Sequence, residues 1–167
     1  MIWTSVALLA FVTLQRLSEL GLARHNTRKL IANGGREIAP QHYPYMVVLH
    51  GCWIAGLWLL AIDRPISPVW FVIFMLLQLC RLWVIGTLRD RWTTRIIVLP
   101  GAPLVSGGPY RFLSHPNYAV VICEIAVLPL AFGLPLYAVV FSVLNAAILY
   151  VRISAENAAL KSAMFLK

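Results

Sequence analysis

Long apolar runs punctuated by short polar breaks set the pattern of this chain. The first run covers residues 2–21. Its second half carries Gln15, Arg16 and Glu19, and it continues as a basic amphipathic stretch through Arg24, His25, Arg28 and Lys29 until Asn33-Gly34-Gly35 stops it. The second run covers 45–62 and ends at Asp63-Arg64-Pro65; the third covers 69–88. Their short connection predicts an antiparallel hairpin. Residues 89–116 are polar, and the glycines and prolines among them argue against a regular element. A fourth run covers 117–132, Gly133-Leu134-Pro135 reverses the chain, and a fifth run covers 136–151 before a polar helical end over 152–161. Crossing the hydrocarbon takes about 20 apolar residues, so the pattern predicts an all-α integral membrane protein with about five transmembrane helices. The chain reads as one domain, 1–167. Three N-terminal spans (1–88) precede a segment of loop, helical hairpin and C-terminal helix end (89–167). No internal repeat or low-complexity tract interrupts it.

Composition agrees. Of the 167 residues, 60% are hydrophobic, well above the half expected of a soluble domain, and the mean hydropathy is +0.80. The formal charge of +8 raises nucleic acid as a partner. The Arg and Lys residues, however, cluster beside apolar spans, where they serve topology and anionic lipids, so no nucleic-acid partner is expected. They also orient the chain. Arg24, Arg28, Lys29 and Arg36 lie in the first connection, Arg89, Arg91, Arg95 and Arg111 in the third, and Arg152, Lys161 and Lys167 at the C-terminus; Arg64 stands almost alone on the other side. The positive-inside rule then predicts a multi-pass protein of the plasma membrane, N-terminus outside and C-terminus cytoplasmic. The first span lacks a basic flank before it and a cleavage site after it, so it reads as a retained helix. Cys52, Cys80 and Cys123 sit in apolar runs without metal-ligand spacing and are expected as buried small hydrophobes.

Chemistry concentrates in residues 108–118, Gly-Pro-Tyr-Arg-Phe-Leu-Ser-His-Pro-Asn-Tyr. Pro116 suits the first turn of a helix and Ser114 its cap. The free N–H groups there suit a carboxylate or phosphate. Tyr110 and Tyr118 offer stacking faces and hydroxyls. The bland alternative is a belt of Tyr and Arg anchored at the headgroups. At the far end of the last hairpin Arg152 and Glu156, four apart, share a helix face with Asn145, either as a surface ion pair or as part of a ligand site. Within the apolar runs lie His50, Gln78, Arg81 and Glu124. Ionisable groups at that depth face a cavity or a partner, and Glu124 with Arg81 is a plausible buried pair, functional or merely fixing register. No zinc cluster, catalytic triad, phosphate loop or dinucleotide fingerprint is present, and no metal is expected.

Over residues 91–160 the chain resembles the isoprenylcysteine carboxyl methyltransferase family. The likeness rests on Leu104-Val105, a G-x-Y ending in Tyr110, then Ser-His-Pro-Asn-Tyr opening a helical hairpin, and R-x-x-x-E from Arg152 to Glu156. The short form, with 91–101 reading Arg-Trp-Thr-Thr-Arg-Ile-Ile-Val-Leu-Pro-Gly, is similar to a bacterial branch linked to O-methylation of lipidic polyketides such as alkylpyrones and phenolic lipids. The resemblance implies S-adenosylmethionine bound at the cytoplasmic foot of the last hairpin by Arg95, Leu104, Val105, Tyr110, His115, Pro116, Asn117, Tyr118 and Glu156. Arg152 and Glu156 would be the catalytic pair. Arg152, with Asn145 and Glu124 on the polar stripes beside it, would meet a lipophilic acceptor. Ser114 stands where the family usually has Arg, Asn157 where it often has a second acid, and a G-x-x-Y tail is absent before Lys167. The expected activity is methyl transfer to a carboxyl, enol or phenol oxygen. Two rivals remain open: a non-catalytic membrane assembly or transport protein, and a nicotinamide-dependent reductase on a related fold. Convergence of Tyr110, His115, Tyr118 and Glu156 on one cavity separates the first rival from the enzyme.

Overall fold

A computed structural model describes the backbone of residues 2–165 and the side chains of residues 2–160. Lys161 and Lys167, which entered the charge argument, lie outside the described side chains. Five helices carry the fold: α1 (Ile2–Ala32), α2 (Tyr43–Leu60), α3 (Pro68–Leu88), α4 (Pro116–Ala131) and α5 (Pro135–Phe165). Prolines open four of them, Pro44 in α2 and Pro68, Pro116 and Pro135 in the others, where a missing N–H costs nothing. Glycines close two. At the end of α1, Gly34 takes φ +88 and Gly35 N–H returns to the Leu30 carbonyl at 2.9 Å. At the end of α4, Gly133 takes φ +66 and Leu134 N–H returns to the Pro129 carbonyl at 3.0 Å. Both are left-handed caps that satisfy the last carbonyls.

Four segments, Ile2–Ala32, Pro40–Leu60, Pro68–Arg91 and Pro135–Leu160, are long and apolar enough to cross a bilayer; Pro116–Ala131 is shorter. At 16 residues α4 reaches roughly 24 Å, less than the hydrocarbon core. The fold is all-α and membrane-spanning, with four full-length candidates and one short central helix. The rim of side chains such as Trp3, Leu59 (82% exposed) and Leu136 faces outward, as in a protein solvated by lipid. Cys52, Cys80 and Cys123 share that exterior, correcting the expectation of burial. An apolar exterior makes an apolar run uninformative about which residues are inside.

Two further expectations are revised. α3 packs along α4, and α2 along α5, so the sequence neighbours α2 and α3 are not each other's main packing partner. The segment 89–116 is not wholly irregular either. Ile96–Val98 (β2) pairs antiparallel with Arg36–Ile38 (β1), with Glu37 opposite Ile97, and 3-10 turns cover Arg89–Arg91 and Gly108–Arg111. The Ile-Ile-Val run had strand character, but its partner lies some sixty residues earlier.

The core has two parts. Leu8, Leu9, Trp53, Leu57, Phe74, Leu128 and Phe132 fill the end where α4 meets α5. At the opposite end Ala23, Val84 and Trp92 pack with Tyr110 partly buried against them. Asn26 secures this second end: its amide donates to the carbonyls of Arg89 (3.1 Å) and Trp92 (2.8 Å). The C-terminal ends of α1, α3 and α5 and the N-terminal ends of α2 and α4 all meet there, gathering the basic connections on one side and leaving Arg64, bonded to Gly133 O, on the other.

Candidate active site

A cavity of about 1030 Å3 opens at the basic end and runs inward between the helices. Its mouth is built by the first turn of α4, the last turns of α5 and the 89–116 loop. Pro116 starts α4 with His115 at the cap position, φ −133 and ψ 64, and no side chain caps the helix. Ser114 is therefore not the cap the sequence suggested. Tyr118 donates its hydroxyl to Glu156 Oε2 at 2.6 Å, tying the two helices together. His115 Nε2 lies 3.0 Å from Asn157 Oδ1, and its Nδ1 lies 4.0 Å from Glu156 Oε1. The His115 and Tyr118 rings are 5.5 Å apart.

Arg152 is only 4% exposed. Its guanidinium donates to the Thr94 carbonyl at 3.0 Å rather than to Glu156, so the two form no ion pair. Among the described residues its Nε has no partner, nor has Asn117 Oδ1, and both are buried. A buried donor and acceptor left unbonded cost free energy unless something binds them. Burial, aided by the Glu156 charge, pushes the Tyr110 hydroxyl up to about 12, so this group is a neutral donor.

The cavity brings together Arg95, Leu104, Val105, Tyr110, His115, Asn117, Tyr118, Arg152 and Glu156. Arg95 arrives already engaged, with Glu37 at 2.7 Å and the Tyr43 ring 4.2 Å beneath its guanidinium. Pro116 is buried and sets the helix start without lining the space. Two expected acceptor contacts are corrected. Asn145 is buried away from the cavity lining. Glu124 is fully buried and also off the lining; its carboxylate takes Arg16 (2.6 Å), Arg81 (2.8 Å) and Gln78 (2.8 Å). With three of its roughly four lone-pair sites taken and no surface on the cavity, this carboxylate serves its neighbours rather than a ligand. The Glu124–Arg81 pair itself is as expected, within a larger set that includes Glu19, bonded to Arg81 and Arg16.

Sequence reasoning missed the N-terminal wall. Arg16, Glu19, Tyr43, Met46, His50 and Ile54 all face the cavity. The spacing of 43, 46, 50 and 54 along α2 is one helical stripe, with His50 its clearest polar mark in an otherwise apolar run. Gln15, Arg16 and Glu19 within an apolar run were the available signal.

The pattern of the isoprenylcysteine carboxyl methyltransferase (ICMT) family matches residues 70–162, the segment holding nearly all of α3, the loop, α4 and most of α5. The chain belongs to the ICMT family. Membership makes it a membrane methyltransferase, and members of the family generally use S-adenosylmethionine. The chain is also 37% identical over 159 residues to the uncharacterized protein YpbQ of Bacillus subtilis (strain 168), covering 92% of this chain and 95% of that one. No solved structure matched. The ICMT match begins at residue 70, just inside α3, so α1 and α2, which form one wall of the cavity, are outside it.

Proposed function

We propose that this ICMT-family chain transfers a methyl group from S-adenosylmethionine to a carboxyl, enol or phenol oxygen of a lipophilic acceptor. The supporting observation is the convergence of Tyr110, His115, Tyr118, Arg152 and Glu156 on one cavity with apolar side walls. Interface anchors, as in a non-catalytic protein, have no reason to converge.

The residues suit the cofactor. Asn117 Oδ1 and Arg152 Nε are an unbonded acceptor and donor, and the Glu156 carboxylate complements a cationic group. Glu156, His115, Asn117, Tyr110 and Tyr118 would hold the cofactor, which supplies an electrophilic methyl on a sulfonium. The Tyr118 hydroxyl fixes the Glu156 carboxylate. Arg152 orients an anionic acceptor oxygen beside the reacting centre. Holding the two reactants in line in a space that excludes water contributes about 7–11 kcal/mol. A lipid tail enters between α1 and α2, along Leu17, Leu20, Val47 and Ile54. Within this reading, alkylpyrones and phenolic lipids are fitting acceptors. The basic residues at the site's end argue for the inner leaflet of the plasma membrane, C-terminus cytoplasmic.

Calorimetry on the purified chain in detergent should give S-adenosylmethionine binding in the micromolar range. Folded protein that binds nothing would refute the proposal. Thermal stabilisation by a nicotinamide dinucleotide in place of S-adenosylmethionine would favour a reductase. Lipid extracts of cells with and without the gene, compared by mass spectrometry for a one-methylene gain, identify the acceptor.

A further inference from the structure

We infer that His50 is the base that takes the proton from the acceptor's hydroxyl as it passes the part of the cavity walled by α1 and α2, before the oxygen reaches Arg152 and the methyl donor. This rests on the methyltransferase reading above.

His50 sits on the cavity face of α2, on the stripe with Tyr43, Met46 and Ile54. Its Nδ1 is 2.9 Å from the Met46 carbonyl oxygen. A carbonyl can only accept, so Nδ1 carries the proton, and the neutral ring presents its lone pair at Nε2. Among the described residues nothing bonds to Nε2. The other bases are placed differently: His115 also keeps a lone pair, at Nδ1, but that atom sits at the mouth 4.0 Å from the Glu156 carboxylate, and the two carboxylates are engaged. His115 is held by Asn157, Glu156 receives Tyr118, and Glu19 receives Arg16 and Arg81.

Depth agrees with the role. His50 is seven residues along α2 from Tyr43, roughly 10 Å further in, whereas Tyr118 lies in the first turn of α4. A lipid acceptor threaded between α1 and α2 reaches the methyl donor from below, with its hydroxyl passing His50. The charged groups acting on the ring are Arg16 from α1, Arg81 from α3 and Glu124 from α4, with Glu19 of α1 bonded to both arginines, so that two cations and two anions balance.

A base matters only to an acceptor that arrives protonated. A carboxyl is ionised at neutral pH, with a pKa of about 4; a phenol or enol is not, or is only in part. His50 therefore points to a hydroxyl acceptor. The O–H bond breaks and its proton goes to Nε2. The oxygen's electron pair forms the new bond to the methyl carbon. The carbon–sulfur bond of the sulfonium donor breaks, its pair staying on sulfur to leave a neutral thioether. The imidazolium returns its proton to water.

The test uses the full chain in detergent with S-adenosylmethionine and three probes: a long-chain alkylresorcinol, a long-chain alkylnitrophenol that is ionised near neutrality, and a long-chain carboxylic acid. His50→Gln should lower kcat on the alkylresorcinol by about a hundredfold or more, with cofactor Kd unchanged. The acidic limb of the wild-type pH–rate profile, where a protonated ring cannot accept, should disappear. On the alkylnitrophenol the loss should shrink sharply. Equal losses on both phenols, or a wild-type rate on the alkylresorcinol, overturn the assignment. If His50→Gln fails to bind cofactor, His50→Ala with added imidazole decides: restored transfer supports the role and no restoration overturns it. Wild-type transfer to the carboxylic acid alone overturns His50's role and leaves the methyltransferase reading intact. Wild-type protein that binds no S-adenosylmethionine overturns that reading itself.

Discussion

Two polar clusters lie within one membrane fold, and they are built on opposite principles. The inner one joins Arg16, Glu19, Arg81 and Glu124 into a charge-neutral set in which each carboxylate oxygen is bonded. The outer one, at the cavity mouth, holds Arg152 and Glu156 four residues apart yet unpaired, with Arg152 Nε and Asn117 Oδ1 unbonded among the described residues. The inner set spends its carboxylates on helix packing and, among the described residues, leaves one buried donor unbonded, Arg16 Nε. The outer set keeps its polar capacity for a ligand. Charge at membrane depth is therefore a poor marker of the site; unspent hydrogen-bonding capacity is a better one, and Arg16, which holds the inner set's unbonded donor, is itself a cavity-lining residue.

Mutations can sharpen or break the contrast. The largest effect is expected at the inner set: Glu124→Ala leaves Arg16 and Arg81 sharing Glu19 alone, with one positive charge unbalanced at membrane depth, and should cost about 3–5 kcal/mol of stability, read from unfolding in detergent. An unshifted transition would remove the distinction between the clusters. Next, Arg152→Ala should lower kcat by roughly a hundredfold while S-adenosylmethionine still binds, because it withdraws a donor from the reacting oxygen. Loss of cofactor binding to the same degree would assign Arg152 to the cofactor instead. Glu156→Gln should weaken cofactor binding by about 1.5–3 kcal/mol, with the unfolding transition held; calorimetry beside thermal melts checks both. The smallest effect is at Tyr110. Its pKa is raised in the fold, from 10.0 to about 12, chiefly by burial. Its contribution to stability is thus complete below pH 10 and lost as pH rises through about 12. Tyr110→Phe should flatten the decline of stability over that interval, measured by melts across pH; an unchanged slope would mean that Tyr110 is not buried in solution.

Much of the outer cluster was legible before any coordinates. Tyr110, His115, Asn117 and Tyr118 are close in sequence, and Arg152 with Glu156 shares a helical face, so local periodicity and the Gly133 reversal brought them near one another. Glu124 and Asn145 were misjudged for the same reason. Each lies on the predicted polar stripe, but a stripe does not say how deep a residue sits or which helix it meets. The cysteines were misjudged because apolar runs mean burial only where water is the solvent. Asn26 and the β1–β2 pairing were beyond local reasoning, since each depends on a partner distant in the chain; His50 stood out as a polar group at depth, but the cavity it faces is closed by residues just as distant.

The sequence by itself determined the apolar helices, their breaks, the side on which basic residues gather and the chemical kinds of group at the C-terminal site. Those follow from transfer free energies and short-range geometry along the chain. Tertiary structure alone decided that Glu124 is consumed by Arg16 and Arg81, that Arg152 turns to Thr94, and that α1 and α2 wall the cavity. Polar groups choose partners by proximity in space, and in a bundle of apolar helices that proximity is fixed only once all five have packed.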